Sequence, residues 1–92
     1  MSVEIKPSTR EGKKYMAIFS SPKKTVHFGQ KDADDFTITK NETRKELYLK
    51  RHQKNENWHD PRTPGALSRW ILWNKPTLEA SIRDFKSRFN IK

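Results

Sequence analysis

Lysine and arginine dominate the side chains here that are able to do chemistry. Twenty of the 92 residues are Lys or Arg against eleven Asp or Glu, a formal net charge of +9. The densest run lies between 40 and 54, where Lys40, Arg44, Lys45, Lys50, Arg51 and Lys54 surround only Leu47, Tyr48 and Leu49 as apolar residues. Cations on one helix face contact phosphates, and each phosphate neutralised releases condensed counterions. A second source is the turn Ser21-Pro22-Lys23-Lys24, whose two lysines can enter a groove or follow a backbone. Lys6, Arg10, Lys13 and Lys14 near the N-terminus are a third. Any one of these segments reads equally well as solvated surface. The excess over the whole chain moves the balance toward a polyanion. The segments make one site only if they share a face, which the sequence does not show.

The remaining chemical groups point away from catalysis. His27, His52 and His59 fit no common zinc spacing, and there is no cysteine to complete one. Asp32, Asp34 and Asp35 supply too few oxygens at fixed spacing for calcium or magnesium, and read instead as caps or partners of the basic helix. Asn57 and His59 lack the second histidine and the frame of a nuclease motif. No cofactor, metal or catalytic set is expected. Of Trp58, Trp70 and Trp73, the first two read as core; Trp73, with Arg69 nearby, is the candidate for a partner surface.

These groups must be positioned by a short chain with little apolar content. Hydrophobic residues are 32% and the mean hydropathy is −1.09, close to disordered composition. Three Trp, two Tyr and five Phe argue for a core nonetheless, since each large aromatic buries about 150–250 Å². The centre of that core is expected at Thr63-Pro64-Gly65-Ala66-Leu67-Ser68-Arg69-Trp70-Ile71-Leu72-Trp73-Asn74. A helix from about 66 to 74 there is apolar nearly all round, with Leu67, Trp70, Ile71 and Asn74 on one face, as in a buried helix. It is too short for a bilayer, which needs about 20 apolar residues.

Before it, Tyr15-Met16-Ala17-Ile18-Phe19 and Thr25-Val26-His27-Phe28 are strand-like and predict a hairpin with Val26 and Phe28 inward. Phe36-Thr37-Ile38-Thr39 alternates and is expected as the third strand. Val3-Glu4-Ile5-Lys6 belongs to a flexible arm or edge strand over 1–12. Asn41 as cap and Glu42 in the first turn open a helix over 42–55. Leu78, Ile82, Phe85 and Phe89 form the apolar stripe of a last helix. The expected fold is α+β: a small three-stranded antiparallel sheet followed by three helices, two layers, with a single domain over 13–92.

Lys24-Thr25-Val26-His27-Phe28-Gly29, Asp35-Phe36-Thr37-Ile38, Arg51-His52 with Asn55-Glu56-Asn57-Trp58, and the run from Ser68 to Leu78 with Ala80-Ser81-Ile82 resemble a family of small basic proteins. That family is encoded by large nucleocytoplasmic DNA viruses of algae and amoebae, the giant viruses. The resemblance implies a viral origin and a role in the virion or at viral DNA, and brings no catalytic residues with it. The resulting expectation is a non-catalytic, largely sequence-independent nucleic-acid-binding protein for genome packaging or as an accessory at viral DNA. Its partner would be nucleic acid, most simply double-stranded DNA, bound by Lys40, Arg44, Lys45, Lys50, Arg51, Lys54, Lys23 and Lys24. The alternative is a minor structural protein of the virion that binds acidic surfaces of viral structural proteins through Trp73 and Arg69. With no apolar leader after Met1, the expected location is the virion or the host cell interior, without secretion or a membrane.

Overall fold

The structure, a computed structural model, describes residues 1–92. Three strands, β1 (Val3–Pro7), β2 (Lys13–Ser20) and β3 (Lys23–Gln30), form an antiparallel sheet in that order. Helices α1 (Phe36–Thr39), α2 (Glu42–His52), α3 (Pro64–Leu67) and α4 (Leu78–Arg88) follow, with a π-helical turn, Ser68–Leu72, continuing α3. The class is mixed α and β in one small domain.

The third strand is not where alternation placed it. Residues 3–7, expected as an arm or edge strand, form β1, paired from Val3 opposite Phe19 to Pro7 opposite Tyr15. Phe36–Thr39 is instead a single helical turn. Asp35 fixes it: its carboxylate accepts the Thr37 backbone N–H at 2.9 Å, and Lys40 closes the turn in a left-handed conformation, φ 54°. Phe36 is buried while Ile38 is 58% exposed, so the alternation marked one anchored residue on a short turn. The hairpin turn is also tighter than expected. Only Ser21 and Pro22 lie outside the strands, and Lys23 and Lys24 belong to β3, opposite Ser20 and Phe19.

The core forms where the α3–π segment crosses the sheet. Thr63 caps α3 by accepting the Ala66 N–H at 3.1 Å, and Pro64 at the first position loses no hydrogen bond there. The helix then widens: the Trp73 N–H reaches the Ser68 carbonyl at 3.0 Å, five residues back. Leu67, Ile71 and Leu72 are thereby all buried against Ala17, Phe19, Val26 and Phe28. The expected face held for Leu67 and Ile71; Leu72, expected to point elsewhere, joined them because the π turn shifts the spacing. Gly29 allows the closest approach, since a Cβ there would sit 2.8 Å from Leu72 Cδ1.

Helix α4 opens at Thr77, whose hydroxyl accepts the Ala80 N–H at 3.2 Å. Its stripe packs as expected. Phe85 is fully buried, and Leu78, Ile82 and Phe89 lie partly buried against the core. By contrast α2 buries a single residue, Tyr48.

Candidate nucleic-acid interface

The basic helix is held in place by aromatic stacking. Tyr48 lies between His52, at 4.3 Å, and Trp73, at 4.4 Å and nearly parallel. Burial, reinforced by the charge of Glu56, pushes the Tyr48 phenol up to about 12. A second tether is Lys45: its ammonium donates to the Asn74 carbonyl at 2.7 Å and lies over the Phe36 ring at 4.9 Å. Asn41 caps α2 by accepting the Arg44 N–H at 3.1 Å.

These contacts divide the six cations expected on this segment. Lys45 is structural. Arg44 pairs with Asp34 at 3.2 Å, and Lys40 donates to the Thr37 carbonyl at 2.8 Å. Lys50, Arg51 and Lys54 are exposed on and just beyond the last turn of α2 and have no intramolecular partner.

Facing Arg51 is the open end of the β2–β3 hairpin. The N–H of Lys31 bonds the Gly12 carbonyl at 3.0 Å. That bond gathers Arg10, Lys13 and Lys31 around one shallow hollow whose only carboxylate is Glu11. Between the hairpin and α2 runs a cleft of about 400 Å³, lined by Lys13, Tyr48, Arg51, Ser68 and Trp73 among others. Its acidic groups are already engaged. Asp35, almost fully buried, accepts from Lys14 at 2.6 Å. Asp34 holds Arg44. Glu56 accepts from His52 Nδ1 at 3.2 Å and from Trp58 Nε1 at 2.9 Å; because a carboxylate only accepts, Nδ1 carries the proton in that bond. Nowhere do three or more His, Cys, Asp or Glu residues form a group able to hold a metal ion.

Lys23 and Lys24 do not join this end. They stand at the other end of the hairpin, seven residue steps along β3 from Gln30, or ~24 Å at strand rise. Arg62 joins them there, donating to the Ser21 carbonyl at 2.8 Å with its guanidinium 5.5 Å from the Phe19 ring centroid. The basic segments thus gather at two ends of the molecule. Arg62 and Lys31 carried no local signal, because each reaches its neighbours through long-range pairing.

Trp73 and Arg69, expected at a partner surface, are engaged within the fold. Trp73 docks α2. Arg69 donates to the Trp73 carbonyl at 2.8 Å and lies over the Trp70 ring at 4.1 Å. Burial, together with the charge of Arg88, lowers its pKa. Arg88 lies over the same Trp70 ring at 3.9 Å and pairs with Asp84. Burial would raise the Asp84 carboxyl, but the Asn74 amide bond at 2.7 Å and the Arg88 charge outweigh it and hold the carboxyl below its usual range.

Fold and site together define a small two-layer α+β domain carrying a basic helix on an aromatic mount. Residues 3–52, or 50 of the 92, match a family of unknown function, DUF5754, and the chain belongs to that family. The match runs from the first residue of β1 to the last of α2, so it includes the hairpin, Lys50 and Arg51 but neither Lys54 nor Trp73. No curated protein and no solved structure matches the chain. No helix is long and apolar enough to cross a membrane.

Proposed function

We propose that this protein binds nucleic acid without catalysis and largely without regard to sequence, through phosphates. One observation carries the reading. Arg51, exposed and unpaired, shares a cleft with Lys13, with Arg10 and Lys31 beside Lys13 and the exposed, unpaired Lys50 and Lys54 close to Arg51 in the chain, while Asp34, Asp35 and Glu56 in the cleft are engaged internally. Unpaired cations there are free to meet phosphates, and the net charge of +9 steers a polyanion to the molecule. Such contacts fix position without reading bases. The resemblance of the run from Ser68 to Leu78 to giant-virus proteins supports genome packaging, or an accessory role at viral DNA, as the setting.

A second reading has its own observation. Leu47 is 56% and Ile38 58% exposed, apolar surface that a protein partner would cover. On that reading the protein is a minor virion component bound to acidic structural proteins.

Fluorescence anisotropy with labelled duplexes of unrelated sequence, across a salt series, separates the two. Phosphate binding gives similar affinities for every duplex and a log–log salt slope of about −0.9 per contact. Replacing Lys50, Arg51 and Lys54 together by Ala is expected to make the slope shallower by about 2–3 with the melting temperature kept. An unchanged slope would remove α2 as the site. Absence of duplex binding at low salt would favour the protein partner.

A further inference from the structure

The cleft between α2 and the hairpin is larger than phosphate contact requires. Its volume of about 400 Å³ falls within the roughly 300–1,000 Å³ usual for small-molecule sites. It persists because α2 buries only Tyr48 and otherwise stands off the sheet.

Its walls differ in chemistry. Tyr48 and Trp73, stacked at 4.4 Å, with Leu72 and Phe28, give an aromatic and apolar side. Lys13 and Arg51 line it as cations without intramolecular partners. Gln30 and Ser68 add neutral hydrogen-bonding groups. The carboxylates in the lining are held by Lys14, Arg44, His52 and Trp58, so they repel an incoming anion less than free ones would.

An anionic group beside a flat ring matches those walls. The geometry points to this cleft as a site for a nucleoside phosphate, its phosphate against Arg51 and Lys13 and its base against Trp73 and Leu72, because His52 and Trp73 already cover both faces of the Tyr48 ring. The inference deepens the nucleic-acid reading and rests on it. A base paired within a duplex keeps its faces stacked on its neighbours, so the occupant is unpaired: a nucleotide of a single strand or a free mononucleotide. Stacking on Trp73 would be sequence-tolerant because every base has a π-face.

The probe is adenosine 5′-monophosphate, titrated into the full chain by calorimetry and tryptophan fluorescence, with adenosine and inorganic phosphate as its separate halves. The nucleotide is expected to bind at least about tenfold tighter than either half, and Arg51→Ala to weaken it about tenfold, the scale of a lost charge-assisted contact. Arg51 is exposed and unpaired, so the variant is expected to fold. Arg83→Ala, which removes an exposed cation of α4 outside the cleft, leaves binding unchanged. A single-stranded oligonucleotide that displaces the nucleotide identifies a strand as the source; failure to displace it identifies the free nucleotide. Nucleotide binding no tighter than phosphate, or Arg51→Ala binding like the parent, overturns the site. Loss of duplex binding with nucleotide binding retained removes the phosphate reading and leaves the cleft; the reverse removes the cleft alone.

Discussion

Tyr48 shows how one side chain can hold an element without being visible in the sequence. Among Leu47, Tyr48 and Leu49 nothing local distinguishes it, because Trp73, its stacking partner, is 25 residues away. Burial sets the consequence for pH. The folded phenol is raised to about 12, whereas an unfolded tyrosine titrates near about 10. Above pH 10 the unfolded chain therefore holds fewer protons than the folded one, and stability falls as pH rises. Below pH 10 the contribution is complete; it is lost progressively from about pH 10 to about 12. Tyr48→Phe keeps the stacked ring and removes the titrating group. Thermal melts between pH 9 and 12 are expected to show the parent losing stability faster than Tyr48→Phe across that window; parallel curves would mean the phenol is not desolvated. His52 is held locally: Glu56, four residues on, joins it to Trp58.

At the scale of elements, legibility followed the range of the interactions. The hairpin, the caps at Asn41 and Thr77 and the stripe of α4 are local patterns, and the residues themselves carry them. Phe36–Thr39 misled because two apolar residues at spacing two suit a strand or a single anchored turn, and the cap at Asp35 decided between them. The π turn was hidden because widening a helix has no short sequence signature. It makes Gly29 sensitive in a way its strand position does not suggest. The residue has φ +78°, and an added Cβ would lie 2.8 Å from buried Leu72. Gly29→Ala is expected to cost about 1–3 kcal/mol for the backbone alone, read by denaturant unfolding, with the overlap added to it. Helix α2 depends on its mount. Trp73→Ala removes an aromatic pair worth about 0.5–1.5 kcal/mol beyond area burial. Hydrogen exchange is expected to speed up across 42–52 while the amides of β2 stay protected; equal loss in both would mean that α2 and the sheet unfold together.

For the whole molecule, the composition gave the sign of the charge but not its layout. Twenty cations on a body of 36 × 28 × 25 Å cannot all face one phosphate backbone. The fold divides many of those on α2 and the hairpin between two places: the end where Arg51 meets Lys13 and Gln30, and the Lys23, Lys24 and Arg62 end, with Lys23 ~24 Å from Gln30 along β3. That separation corresponds to about seven base pairs at 3.4 Å each along a strand. A duplex shorter than this reaches one end, whereas a longer one laid along the hairpin reaches both. Affinity at fixed low salt is therefore expected to climb steeply as the duplex is lengthened from 6 to 12 base pairs, and then only with the statistical number of sites. Lys23→Ala with Lys24→Ala is expected to leave binding to the 6-base-pair duplex within about twofold and to abolish most of the gain at 12, since non-specific affinity scales with phosphates contacted. Both lysines are exposed at the hairpin tip, and their replacement is not expected to alter folding. If the double variant loses affinity equally at both lengths, short duplexes bind at the hairpin tip and the α2 end is not the primary site. If it loses affinity at neither length, the second end takes no part and the duplex lies across α2 alone.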